Sequence, residues 1–324
     1  MVLIKNHNPI FKTQNNSDRN LKTALCIPTL NAERSARSLL NSIEQQSLKL
    51  TSFIIIDSSS TDNTEKIFKD AGARVYTIPR LSFDHGATRQ MGVELLSDVD
   101  VIIFMTQDAI LASPDSFHRL VKYFDDEVVG AVCGRQLPSP NARPIAIHAR
   151  NFNYPKYSTI KTYDDISKIG IKAAFLSNSF AAYRCIALAA VGGFPFATIF
   201  GEDTFVAAKM LLNGWKVAYC STATVYHSHN LNYIEEFRRY FDIGVFHSRE
   251  KWFIDSLGKA ESEGKKFVLS ELKYLFQKAP WLIPSAILRT AIKLMGYRFG
   301  RLEARIPTQI KKILSMNKKY WEKG

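Results

Sequence analysis

Short apolar runs that stop abruptly at polar, often acidic, residues recur along this chain, and they restrict its fold more than any other feature. Thr23–Ile27 runs into Pro28-Thr29-Leu30-Asn31-Ala32, Phe53–Ile56 into Asp57, and Val101–Met105 into Thr106-Gln107-Asp108. Between them lie stretches with helical spacing, such as Glu33–Gln46, where Ala36, Leu39, Leu40 and Ile43 share one side. Buried strands alternating with amphipathic helices predict an α/β chain with a mostly parallel sheet covered on both faces. Such sheets gather polar groups along the edge where the strands end. Carboxylates crowd there at a cost in free energy, so the gathering implies a cation or a proton to be handled, and hence an enzyme.

Further along, Leu137–Lys161 is long, rich in proline and without clear period, which reads as a functional flap. Ser179–Tyr183 resumes a strand, and Asp203–Asn213 is an amphipathic helix. After the His227/His229 segment the pattern becomes helical. The expected organisation is therefore a flexible polar arm over 1–22, a catalytic domain over 23–230 and a basic helical region over 231–324. The arm has no apolar leader, so a cleaved signal peptide is not expected. Cys26, Cys133, Cys185 and Cys220 are far apart in apolar surroundings and read as buried, reduced thiols.

Each polar motif has a structural reading beside a chemical one. Asp57, before a run of hydroxyls, suits a strand-end turn, or an acceptor for a nucleotide base or ribose. A phosphorylatable aspartate would need a partner pattern such as D-x-D-x-T, which is absent. Asp108 ends a buried strand and could hold a divalent metal, with His227 and His229 supplying further ligands if they too end a strand. Glu202 and Asp203 follow Gly201 at a helix start, where acids are favoured by the free N–H groups, or where one could act as general base. In Phe83-Asp84-His85-Gly86-Ala87-Thr88-Arg89, His85 and Arg89 share a helical face and with the first-turn N–H groups would clamp a phosphate or sugar hydroxyl.

Taken together these strings resemble the family 2 glycosyltransferases, which use the GT-A nucleotide-sugar fold. The resemblance runs from about Thr23 to Asn230 and on into the helices. It implies that Pro28, Thr29, Asn31, Asp57, Ser59 and Asp62 hold the nucleotide, and that Gln107 and Asp108 stand in place of the family's D-x-D. His85, Gly86 and Arg89 would complete the donor site, Asp203 would be the catalytic base, and Glu202, Arg238 and Arg239 would meet the acceptor. Thr106 replaces the first acid of D-x-D, so Mg²⁺ or Mn²⁺ would need Asp108 together with His227 or His229. The F-x-H-G-x-T-R string, T-Q-D, and H-S-H-N with Phe237-Arg238-Arg239-Tyr240 are similar to the rhamnosyltransferase branch. That branch implies dTDP-L-rhamnose as donor, inversion at the anomeric carbon, and a saccharide acceptor that is lipid-linked. Another nucleotide-sugar donor, or a binding protein without catalysis, are the alternatives.

Charge bears on the partners. The net charge is +13, and from Lys265 onward fourteen Lys/Arg face three Asp/Glu. No RNP, helix-turn-helix or zinc-finger pattern accompanies this charge, which argues against nucleic acid. No G-x-G-x-x-G follows the first strand, which argues against a dinucleotide-dependent oxidoreductase. Cations interleaved with Trp281, Ile287, Leu288, Leu294, Met295 and Phe299 suit an anionic membrane surface, or else a helix packed on the catalytic domain with basic rims. No run reaches the ~20 apolar residues of a membrane span. The expected location is the cytoplasm, peripheral on the inner face of the cell membrane.

Overall fold

The computed structural model describes residues 21–258 and 261–322; of the expected N-terminal arm, residues 1–20 lie outside them. Nine strands form one mixed sheet: β1 (Thr23–Thr29), β2 (Ser52–Asp57), β3 (Arg74–Thr77), β4 (Val101–Met105), β5 (Ile110–Leu111), β6 (Val129–Leu137), β7 (Thr159–Lys161), β8 (Phe180–Arg184) and β9 (Lys216–Tyr226). Their order is β3-β2-β1-β4-β8-β6-β9-β5, with β7 added against β9. The first four are mutually parallel, as their alternation with helices predicts. β8 runs antiparallel between β4 and β6, but β6 and β9 pair parallel and run the same way as β4, so the sheet is mixed yet mostly parallel.

Buried on both faces, β4 is wholly apolar, and every one of its five residues is inaccessible to solvent. One apolar layer lies beneath the helix Glu33–Glu44, where Ala36, Leu39 and Leu40 face Leu25, Ile27 and Ile103. The other lies beneath Glu202–Leu212 and contains Phe104, Tyr183 and Phe194 packed edge to face. All four cysteines are free thiols.

The stretch expected to be irregular holds a helix, Pro144–Asn153, with Pro144 in its first turn. Proline suits that position because its missing N–H has no helical partner there. The long strand β9 was not anticipated either; it delivers His227 as the first residue past its end.

Beyond residue 230 the chain is helical, with Tyr233–Arg249, Lys251–Leu257, Glu261–Lys278, Ile283–Arg301 and Thr308–Leu314. The boundary expected near 230 is not a break in the core, because Phe241, Val245, Phe246, Phe253 and Trp321 share one apolar cluster with Phe104 and Tyr183. Tyr233–Arg249 and Ile283–Arg301 touch through glycines. A Cβ at Gly244 would lie 2.3 Å from the Tyr297 carbonyl, and one at Gly300 would lie 2.1 Å from that of Phe241. Only glycine permits backbones this close. No helix among the described residues is long and apolar enough to cross a membrane.

Candidate active site

The ends of β1, β2 and β4 are laced together by side chain–backbone hydrogen bonds. The Gln107 amide grips Leu30 at both its N–H (2.7 Å) and its carbonyl (3.0 Å). Asn31 and Ser59 both adopt left-handed backbone conformations, with φ of 50° and 55°. Non-glycine residues hold such angles where surrounding contacts enforce them. Here the Asn31 N–H donates to Ser60 Oγ (2.8 Å), and Asn31 Oδ1 accepts from the Thr61 N–H (2.9 Å). Ser59 Oγ donates to the Ile78 carbonyl.

Several residues expected to bind the donor also build this edge. Parallel register sets Thr29 beside Asp57, and the Thr29 hydroxyl donates to Asp57 Oδ1 at 2.9 Å. Asp57 also accepts from Ser60 N–H and Oγ, and it is 1% exposed, so it organises the loop rather than presenting a free carboxylate. Asp62 accepts from the backbone N–H groups of Glu33 and Thr64, serving the starts of two helices at once. Pro28 lies within β1 opposite Ile56. Exposed groups on the rim are Asn31, Thr61 and Asp108.

Asp108 meets His227 and His229, the ligand atoms of the three lying within 4.8 Å of one another. The Asp108 carboxylate is 3.4 Å from His227 Nε2 and 3.7 Å from His229 Nε2. Burial opposes its charge, but the two imidazoles hold its carboxyl well below the usual range. His227 Nδ1 donates to Gln136 Oε1 at 3.0 Å, which aims Nε2 at Asp108. Burial and its neighbour His227 lower the proton affinity of His229. A carboxylate with two imidazoles, one of them oriented by a second residue, fits a divalent metal. Gln136 also accepts from Arg150 on the helix Pro144–Asn153. Sequence reasoning missed both residues, since neither lies in a strand-end motif.

Glu202 and Asp203 open the helix Glu202–Leu212, behind Gly201 at φ 74°. Asn178 bridges them: its N–H donates to Asp203 Oδ2 (3.1 Å), its Nδ2 to Glu202 Oε1 (3.0 Å), and its Oδ1 accepts from Tyr183 (2.6 Å). The Thr204 N–H fixes Asp203 Oδ1 at 2.7 Å. Arg89 reaches Glu202 Oε1 at 3.0 Å. Burial opposes the Glu202 charge, yet the Arg89 guanidinium holds its carboxyl below the ordinary value. Asp203 moves the other way: burial, and then the neighbouring Glu202 charge, push it up to about 6.

Three expectations are corrected here. Arg89 is 3% exposed and bound to Glu202 and to the His85 carbonyl, so it is no phosphate clamp. The first-turn N–H groups are occupied, since Asp84 Oδ1 accepts from Gly86 and Ala87. A Cβ at Gly86 would collide with the Pro195 carbonyl, so that glycine admits a loop rather than a ligand. Glu202, itself buried, meets Arg89 and Asn178 where an acceptor was expected. His85 lies edge-on to Phe83 and is kept neutral by burial. Arg238 and Arg239 part company: Arg238 Nε donates to the Ile313 carbonyl, while Arg239 stacks on Phe200 and lies on the His229 side.

The chain belongs to glycosyl transferase family 2, whose pattern matches residues 24–192. Its similarity to an O-antigen chain rhamnosyltransferase, RfbN of Salmonella typhimurium, is 47% identity over 93% of this chain and 96% of that protein. WbaN of Salmonella anatum, also an O-antigen chain rhamnosyltransferase, is 43% identical over 92% of this chain and 95% of its own length. Among solved structures, a mannosyltransferase of Pyrobaculum calidifontis in complex with GDP-Man and Mn²⁺ superposes with a TM-score of 0.53. The match covers 93% of this chain and 85% of that one at 17% identity, and shows the shared fold.

Proposed function

We propose that the chain transfers L-rhamnose, with inversion, from dTDP-L-rhamnose to a lipid-linked saccharide of the growing O-antigen, at the cytoplasmic leaflet. The observation that carries this reading is the 47% identity to an O-antigen chain rhamnosyltransferase along nearly the whole chain, helical region included.

Asp203 is the base. Its raised proton affinity lets it take the proton of an acceptor hydroxyl near neutral pH, and Asn178 and Thr204 hold the carboxylate still. Glu202 acts through Asp203: kept charged by Arg89, it raises the affinity of its neighbour for that proton. As the acceptor oxygen bonds to the anomeric carbon from one face, the bond to the nucleotide diphosphate breaks on the other, which inverts the centre. Asp108, His227 and His229 would hold the divalent cation, whose chemistry is to offset charge on the departing diphosphate. Two imidazoles beside one carboxylate suit Mn²⁺ better than Mg²⁺, which prefers an oxygen shell.

The test is nucleotide release from dTDP-L-rhamnose, dTDP-glucose, UDP-glucose and UDP-GlcNAc, with lipid extract as acceptor and with or without Mn²⁺ or Mg²⁺. Acceptor-dependent release from dTDP-L-rhamnose alone is expected. Release from a different donor alone would overturn the rhamnosyl reading while leaving the family in place.

A further inference from the structure

The helix Ile283–Arg301 has two faces of opposite character. Its inner face carries Gly296 and Gly300 against Tyr233–Arg249, together with Arg289 and Lys293. The charges of these two cations end inside the protein, on Glu236 at 3.0 and 3.7 Å. The outer face shows Trp281 (just before the helix), Ile287, Leu288, Leu294, Met295 and Phe299, each 47–74% exposed. At 100° per residue these six fall within an arc of roughly 140°. A helix already packed on one side has no folding reason to keep so broad an apolar stripe in water.

Cations accompany the stripe: Arg298 falls within its arc, Arg301 lies just outside it, and Lys273 and Lys278 stand on the neighbouring helix Glu261–Lys278. Lys273, Lys278, Arg298 and Arg301 are exposed. The acids beyond Lys265 do not offset them, because Glu271 and Glu303 are buried and Glu322 alone is exposed. We propose that this face docks on an anionic lipid bilayer, with the apolar stripe at the headgroup boundary and the cations among the phosphates. A second copy of the chain fits less well, since a two-fold contact would oppose the same cations with no acid between them. Nucleic acid would engage the cations but leave the stripe in water.

The docked face is tied to the site. Arg289 Nη1 donates to the Leu231 carbonyl at 2.8 Å, two residues beyond His229, and Ser285 meets the Tyr233 hydroxyl at 2.9 Å. Docking would therefore hold the metal-binding edge about one helix diameter, ~10 Å, from the headgroups. The inference rests on the proposed lipid-linked acceptor for its purpose but not for its evidence.

The experiment uses the full-length protein with vesicles of phosphatidylglycerol and phosphatidylcholine, against phosphatidylcholine alone. Flotation with the anionic vesicles is expected, weakening with salt. Of the four tryptophans, Trp215 and Trp321 are buried, Trp252 is half-buried against Phe205, and Trp281 is 74% exposed, so emission should shift to the blue on binding, and Trp281→Phe should remove most of the shift. In L288E/M295E, vesicle affinity should fall at least about tenfold, the scale of one lost aliphatic anchor. Its thermal midpoint and its turnover on a water-soluble acceptor should be unchanged. Absent flotation, or flotation unaffected by L288E/M295E, overturns the proposal. So does a dimer in sedimentation that L288E/M295E abolishes without any vesicle binding. Vesicle binding without rhamnosyl transfer would sustain the surface and refute the function. Transfer to a soluble acceptor without vesicle binding would do the reverse.

Discussion

Replacing Arg89 by methionine should unfold the catalytic pair before it slows it. Arg89 and Glu202 are 3% and 6% exposed, and their charged atoms are 3.0 Å apart. At an effective dielectric of about 20, that separation corresponds to roughly 5 kcal/mol of attraction. Removing the cation leaves an uncompensated buried carboxylate, which typically costs about 3–5 kcal/mol. Urea unfolding of Arg89→Met at pH 7.5 should show a loss in that range. The penalty belongs to the charged form of Glu202, so part of the stability should return as pH falls and that carboxyl takes up a proton. For the same reason R89M/E202Q should recover most of the loss, within about 1–2 kcal/mol of the native protein. A deficit below about 1 kcal/mol in the single variant, the scale of an exposed pair, would refute the reasoning. So would a double variant no more stable than the single one.

The site makes two more measurable demands. Asp203, raised to about 6, must be unprotonated to act, so turnover should climb as pH rises through about 6 and level off above it. Asp203→Asn should lose at least about a hundredfold in kcat and abolish that acid limb while nucleotide-sugar binding persists; initial rates between pH 5 and 8 decide it. Gln136→Leu removes the acceptor that orients the His227 ring. Its affinity for Mn²⁺ should fall by about 10–100-fold in an EPR titration, and an unchanged affinity would detach Gln136 from the metal site.

The strand-end edge was readable because continuous apolar runs and abrupt polarity are local properties. β1, β2 and β4 end at or just past the close of their apolar runs, which puts Asp108 at the edge, whereas His227 and His229 arrive there on β9, whose mixed sequence carries no such signal. Destinations of charges were not readable. Arg89 on a helix start looks like a phosphate ligand until Glu202 arrives from far along the chain to neutralise it. Asp57 likewise looks free until parallel register sets Thr29 beside it. Asn178 carries no signature beyond its place before a strand, although it touches both acids. In the helix Ile283–Arg301 the cations fall on opposite sides. Only the packed structure separates Arg289 and Lys293, which are internal, from Arg298, which is not.

The glycine crossing between Tyr233–Arg249 and Ile283–Arg301 also bears on how such enzymes can diversify. Side-chain interfaces can drift, because a larger residue on one side is answered by a smaller one on the other. Backbones in contact at Gly244, Gly296 and Gly300 leave no volume to trade. A C-terminal region grafted from a relative would dock here only if it brought glycine at matching heights along both helices. The C-terminal region of this protein is therefore expected to change by substitution within its helices, and seldom by exchange of the whole segment.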